Sequence, residues 1–305
     1  MKTRIISGLA LFCLLTAFSA CSDSDDNNSP SIPEGNINEG GKGPSSDDKL
    51  IIPTGEAFVG DSIQSMLRYS LQTNPIGIVK ASTTQNGHIE VLGGYKSDAA
   101  VYIYAKADDK SSLSKEQITA ILDKYYDVKT EVNGITINAS VTPKEGVNHD
   151  TDYHQLRVSM KIFTPRSVSS QLSLQNGGIF VQSLNVPQHT ATTTSGAIKY
   201  LHTEASTITA NSTNGYIAFI NSNASQSMSA KTQKGSIQIA VSPATKAHLN
   251  LSSTNNVTAS VLTADNFDGT KNKNVVKGDL NGGGANINAS VGFGSVIFRW
   301  YNTNK

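Results

Sequence analysis

The sequence predicts a mostly β chain folded as a single-domain β-solenoid, or β-helix, of ~20-residue rungs with one capping or inserted helix. Three observations predict it. A Gly, or an Asn in its place, is followed two positions later by Ile or Val at Gly177/Ile179, Gly196/Ile198, Gly215/Ile217, Gly235/Ile237, Asn255/Val257 and Gly294/Val296, with successive separations of 19, 19, 20, 20 and 39. The flanks of these copies alternate apolar and polar residues, as in Gly235-Ser236-Ile237-Gln238-Ile239-Ala240-Val241, which is the period of a strand. The composition, 37% hydrophobic and 7% aromatic, suits a narrow core that needs few large side chains.

From the N-terminus, residues 1–20 have the layout of a lipoprotein signal peptide. Lys2 and Arg4 precede the apolar stretch Ile5–Phe18, and the small residues Ser19-Ala20 stand directly before Cys21. That is the order of a cleavable secretory signal, and its apolar run is shorter than the ~20 residues a spanning helix needs. Phe18-Ser19-Ala20-Cys21 resembles the lipobox at which bacterial lipoproteins are cleaved and acylated, so Cys21 is expected to carry fatty acyl chains such as palmitate and to hold the protein to a membrane. Each buried methylene contributes ~0.8 kcal/mol, so two or more chains anchor stably. Cys13 falls in the discarded segment, which leaves one cysteine and no disulfide.

Residues 21–52 are expected to form a flexible acidic tether of Asn, Asp, Ser, Gly and Pro, with an end-to-end distance of ~30 Å for ~30 residues of coil. Ser22-Asp23-Ser24-Asp25-Asp26 resembles the acidic tag that sends lipoproteins to the outer cell surface in one group of Gram-negative anaerobes. The expected location is therefore the cell envelope, as a surface-exposed outer membrane lipoprotein. Loss of Lys2 and Arg4 with the signal leaves 23 basic and 24 acidic residues. Residues 161–305 nevertheless carry 11 Lys/Arg against Glu204, Asp265, Asp268 and Asp279, a net of +7. A partner drawn to that half by charge would be anionic, but the charges are scattered, which argues against a nucleic-acid surface.

Residues 53–302 are expected to be the solenoid. Around each repeat the order is strand, tight turn, strand, with Gly accepting positive φ at no steric cost and Asn the next most tolerant. The structural turns are thus Gly87, Gly177, Gly196, Gly215, Gly235, Asn255 and Gly294, the first from the early copy Thr84-Gln85-Asn86-Gly87-His88-Ile89. Alternation puts Ile237, Ile239 and Val241 inward and Ser236, Gln238 and Ala240 outward. Stacked coils would place each Ile above the next, and each buried Ile would contribute ~1.5–3 kcal/mol. The separation of 39 spans two periods, so one rung between Asn255 and Gly294 is expected to have lost its signature. An antiparallel sandwich is the alternative; regular register favours the solenoid.

A second phrase, an alternating strand, a Pro and another alternating strand, occurs around Pro165 and again around Pro243. Pro lacks a ladder donor and fits a corner. The helix is expected over about 113–127. Ser114 and Gln117 make a capping box, Leu113 and Ile118 a staple, and Ile118, Ile121, Leu122 and Tyr125 one apolar face. Val132-Asn133-Gly134-Ile135-Thr136-Ile137 predicts a tight hairpin.

These features together resemble a "putative-adhesin" family of bacterial surface lipoproteins, a domain of unknown function built as a β-solenoid. The resemblance rests on the Thr/Ser-x-Asn/Ser-Gly-x-Ile copies at Gly87, Gly196 and Gly215 and on the strand pair around Pro165, and covers roughly residues 53–300. Asn255 and the irregular stretch 262–284 depart from it. It implies a cell-surface location and an adhesive role, and supplies no ligand.

Catalytic chemistry finds little purchase. β-Helix polysaccharide lyases and hydrolases need paired carboxylates or a carboxylate-bound metal, and none of Glu204, Asp265, Asp268 and Asp279 recurs at a rung position that would stack it beside another. Asp265-Asn266-Phe267-Asp268-Gly269 lacks the ligand series of a calcium loop and is expected to be a turn. Gly278–Gly284 has no following Lys-Ser/Thr and is expected to be a flexible insertion. His88, His149, His154, His189, His202 and His248 show no metal-ligand spacing, and no Gly-x-Ser-x-Gly elbow occurs. Asp61-Ser62-Ile63 resembles a bacterial O-glycosylation acceptor. No catalytic residue, metal or cofactor is expected. The expected function is non-enzymatic, an adhesin or binding scaffold for an extracellular glycan or protein, with Tyr200, Tyr216 and Phe219 as candidate exposed aromatics for a glycan. A glycan-active enzyme is the rival, and a structural or sensing envelope protein a third reading.

Overall fold

The computed structural model describes residues 63–70, 76–94, 98–107, 112–148 and 155–301. Cys21, the signal, the tether, His149, His154 and Asp61-Ser62 lie outside the described residues. Among those described, the chain is mostly β, with sixteen strands in one mixed sheet and one helix.

At the N-terminal end β1 (Ile63–Ser70), β3 (Asp98–Ala107) and β6 (Leu156–Thr164) pair antiparallel in that order, and β2 (Ile78–Gly93) lies parallel to β6. Strands β4 (Tyr126–Asn133) and β5 (Thr136–Pro143) form the expected hairpin across Gly134-Ile135, and β5 also lies parallel to β2. The central part comprises β7 (Ser169–Gln182), β8 (Asn185–Ser195), β9 (Ile198–Leu201), β10 (Glu204–Ile220) and β11 (Asn223–Val241). The chain closes with β12 (Ala247–Ser253), β13 (Asn256–Thr258), β14 (Phe267–Lys271), β15 (Val275–Leu280) and β16 (Ala285–Trp300).

All pairing from β5 and β6 through β2, β7, β8 with β9, β10, β11 and β16 to β12 with β13 is parallel. Equivalent residues of each copy are register partners. Ile89, Ile179, Ile198, Ile217, Ile237, Val296 and Val257 form one column, all but Val257 fully buried. A second column runs Val91, Val181, Tyr200, Phe219, Ile239, Phe298, so Tyr200 and Phe219 are core residues and not exposed aromatics. Their position two residues beyond the Ile column puts them on the same inward face.

Strands run unbroken through Gly87, Gly177, Gly215, Gly235 and Gly294, with a two-residue break only at Gly196-Ala197, and the backbone bends at these glycines instead of closing a two-strand turn. A Cβ on Gly196 would stand 1.8 Å from the carbonyl oxygen of Gly177, one on Gly215 1.8 Å from that of Gly196, and one on Gly294 1.6 Å from that of Gly235. Each glycine thus lies against the glycine of the neighbouring strand, where no side chain fits. Gly215 shows that close approach is the governing reason, because its φ lies outside the left-handed range that Gly177, Gly196, Gly235 and Gly294 adopt. Asn255, which faces no further copy, stands at the far end of the column.

Three residues before Gly196 and before Gly235, an inward Thr satisfies the bend. Thr193 Oγ1 donates to the carbonyls of Gln175 and Ser195, both at 3.4 Å, and Thr232 Oγ1 to those of Gly215 and Lys234 at 3.4 and 3.1 Å. In β2 an extra residue bulges the strand, so the inward hydroxyl is Thr83 and the motif's Thr84 points out.

Chain order and spatial order differ at both ends. Strand β2 sits between β6 and β7, and β16 between β11 and β12. No rung between Asn255 and Gly294 lost its signature. The residues between them form the hairpin β14–β15, which pairs antiparallel with β12, and β16 then returns to the gap beside β11. Gly278–Gly284 is therefore not a flexible insertion: Gly278 to Leu280 end β15, and a turn from Asn281 leads into β16. The Pro phrase marks these step-overs. Connections between sheet neighbours take two residues, 183–184, 202–203 and 221–222, whereas the Pro165 and Pro243 connections take 165–168 and 242–246. Crossing an inserted strand means spanning about twice the ~4.8 Å strand spacing, which a two-residue corner cannot do.

Helix α1 (Lys115–Tyr125) has the expected capping box between Ser114 and Gln117 and buries Ile118, Ile121, Leu122 and Tyr125. It ends where Tyr126 turns extended and enters β4. No helix among the described residues is long and apolar enough to cross a membrane.

Candidate functional site

The short corners build one concave surface. Ser183, His202 and Asn221 open the corners after β7, β9 and β10, each with a left-handed backbone, at φ 58°, 49° and 43°. Such a conformation costs ~1–2 kcal/mol outside Gly. Backbone hydrogen bonds from each corner to the next hold it: Ser183 N–H donates to the Leu201 carbonyl at 3.0 Å, His202 N–H to Ile220 at 3.0 Å, and Asn221 N–H to Ala240 at 2.8 Å. Spacings of 19 residues set these side chains in a row, and Asn185, Glu204 and Asn223 in a second row beside it.

These residues line a cavity of about 390 Å³, to which Arg166, Ser242 and Thr245 also contribute. His202 Nδ1 lies 2.8 Å from the Asn221 amide nitrogen, and the Tyr301 ring packs edge-on against the imidazole at 5.7 Å. Burial, then the nearby Lys199 ammonium, holds the His202 imidazole below its ordinary value, which keeps it neutral at neutral pH. The lining therefore offers one guanidinium, one carboxylate, a neutral imidazole, hydroxyls and amides. Such a set hydrogen-bonds a polar, hydroxyl-bearing ligand.

Other residues singled out by sequence are placed elsewhere. Tyr216 is half-buried, its hydroxyl bonded to Gln238, while Phe180, Lys199, Ala218, Gln238 and Ala240, on the outward side of the same strands, are buried rather than solvated. Side chains on that side lie along the sheet, as Lys199 does over the Phe180 ring at 5.4 Å. Among the described residues the fully exposed aromatic is Phe293, 68% exposed, which no sequence signal distinguished beyond its flanking glycines. His189 is buried against Ser170 Oγ at 2.9 Å, and burial alone lowers it to about 4. Antiparallel register sets Asp279 between His248 and Asp268, and His248 Nδ1 lies 2.5 Å from the Asp279 carboxylate. Two acids of the C-terminal half are thus neighbours after all, through a hairpin that the repeat spacing does not reveal. No group of three His, Cys, Asp or Glu side chains among the described residues could hold a metal ion.

No family model matches the chain. No curated protein matches it either. Among solved structures, a "putative cell adhesion protein" of Clostridium sporogenes is similar at 10% identity with a TM-score of 0.44, over 78% of this chain and 99% of that one. A "putative adhesin" of Bacteroides fragilis is similar at 12% identity with a TM-score of 0.31, over 78% and 97%. A "putative lipid binding protein" of Parabacteroides distasonis is similar at 11% identity with a TM-score of 0.27, over 78% and 97%. Likeness at this level carries no argument about function.

Proposed function

We propose that this chain is a lipoprotein anchored through Cys21 at the bacterial outer surface, where its parallel ladder, a β-solenoid, serves as a non-enzymatic adhesin or binding scaffold for an extracellular glycan or protein. The supporting observation is the pair of corner rows, Ser183-His202-Asn221 and Asn185-Glu204-Asn223, which convert single polar residues into a repeated recognition surface around one cavity. Parallel register keeps the rows straight, so several weak hydrogen bonds act on one extended ligand.

The test is a glycan array with the acyl-free mature chain, run beside an assay of polysaccharide turnover. Specific retention without product is the expected result, and Asn185→Ala with Asn223→Ala should weaken it. Product formation would end the scaffold reading. One observation favours the rival, a glycan-active enzyme: Asp268 and Asp279 are direct cross-strand partners with His248 beside them. Turnover abolished by Asp279→Asn would establish that reading instead.

A further inference from the structure

A second concave surface lies at the bend of the ladder, away from the corners. Phe293 is the register partner of Lys234, and Lys231 stands on the same strand three residues earlier. Around them is a cavity of about 620 Å³, whose wall includes Gln233, Thr254 and Asn274.

The aromatic ring is presented by a fixed backbone. A Cβ on Gly292 would come 2.6 Å from the Gln233 carbonyl oxygen and one on Gly294 1.6 Å from that of Gly235, so β16 is pressed against β11 on both sides of the ring. The opposite wall is tied as well. Asn274 Nδ2 donates to the carbonyls of Ser253 and Thr254, both at 2.9 Å, and Thr254 Oγ1 donates to the Gly292 carbonyl. Neither Lys231 nor Lys234 has an ion-pair partner among the described residues. Both are exposed, as is Lys273 in the turn that leads to Asn274.

An exposed aromatic face beside unpaired ammonium groups and a hydroxyl- and amide-bearing wall is a specific combination. The ring accepts the C–H face of a sugar, the lysines accept carboxylates, and the wall accepts hydroxyls. We propose that this groove binds an acidic saccharide, a sugar chain bearing carboxylates. The proposal rests on the scaffold reading and adds to it a second groove with a ligand chemistry of its own. Electrostatic attraction by the basic C-terminal half, net +7, would speed capture of such a chain.

Calorimetry on the acyl-free mature chain would use oligogalacturonate and hyaluronan oligomers, with methyl-esterified oligogalacturonate as the neutral ring control and polyglutamate as the carboxylate without a ring. At least one of the two acidic saccharides should bind, more weakly as salt rises, and neither control should. Phe293→Ala and the pair Lys231→Gln with Lys234→Gln should each weaken binding by about tenfold with an unchanged melting temperature. Asn223→Ala, in the corner cavity, should leave it unaltered. Equal binding of the methyl ester, equal binding of polyglutamate, binding indifferent to both groove variants, or failure of both acidic saccharides would each overturn the proposal. Failure of both acidic saccharides alongside retention of neutral glycans that is lost with Asn223→Ala would leave the scaffold reading standing while this groove's ligand falls.

Discussion

Gly215 separates two explanations for the repeated glycine. Positive φ accounts for many such positions, yet Gly215 is outside that range and is still bound to be Gly by the Gly196 carbonyl, 1.8 Å from where a Cβ would stand. Gly215→Ala should therefore destabilise by ~3 kcal/mol or more through displaced rungs. Gly134→Ala, at φ 58° with open space around the new Cβ, should cost only ~1 kcal/mol, and denaturant melts of both variants would compare them directly. His189 allows a test by pH. Its folded value of about 4 lies below the ordinary 6.5, so its contribution is complete above pH 6.5 and is lost as pH falls toward 4. His189→Leu, which matches the Ile208 of the next strand in the column, should gain on the wild type by on the order of 3 kcal/mol between pH 7 and pH 4. A stability difference independent of pH would contradict that assignment.

Strand β16, the last in chain order among the described residues, is the most consequential for the ladder. It pairs with β11 along one side and with β12 and β13 along the other, so its absence would leave two long unpaired edges facing each other. A chain ending at residue 284 should self-associate, and a peptide of residues 285–301 added in trans should restore the monomer, as read by size-exclusion chromatography. If the truncated chain stays monomeric and cooperatively folded, the inserted strand is dispensable. The five-residue connection 242–246 leaves room for that insertion. Removing two residues from it should block β16 from its place, with the same outcome as the truncation. The helix, by contrast, follows from local rules alone, since its capping box and apolar stripe are contained within twelve residues, 114–125.

For the molecule as a whole, the anchor is the testable point. Cys21→Ala should move the protein from the membrane to the soluble fraction, and continued membrane association would refute the lipoprotein reading. The two concave surfaces are less legible in the sequence than the ladder. Ser183, His202 and Asn221 recur at 19-residue spacing, but as three different residue types they share no motif that marks a left-handed corner. Phe293 could have been found from the rule that places it one residue before the glycine, on the side away from the Ile column. Tyr200 and Phe219 fail the same rule, standing four residues after the glycine with the inward set.

Periodicity settled the strands of the glycine repeats, the inward Ile column, the helix and its cap, because each depends on residues close together in the chain or on a side chain's parity along a strand. Strand order at the two ends could not be settled that way. The Gly87 and Gly294 copies carry the same signature as their neighbours, and the pattern is equally satisfied whether a copy stacks next in line or slips in beside one made earlier. The choice belongs to long-range pairing: the Pro165 and Pro243 connections hold two strands apart, and the open edges between them are filled by β2 and β16, which bring Phe293 beside Lys234.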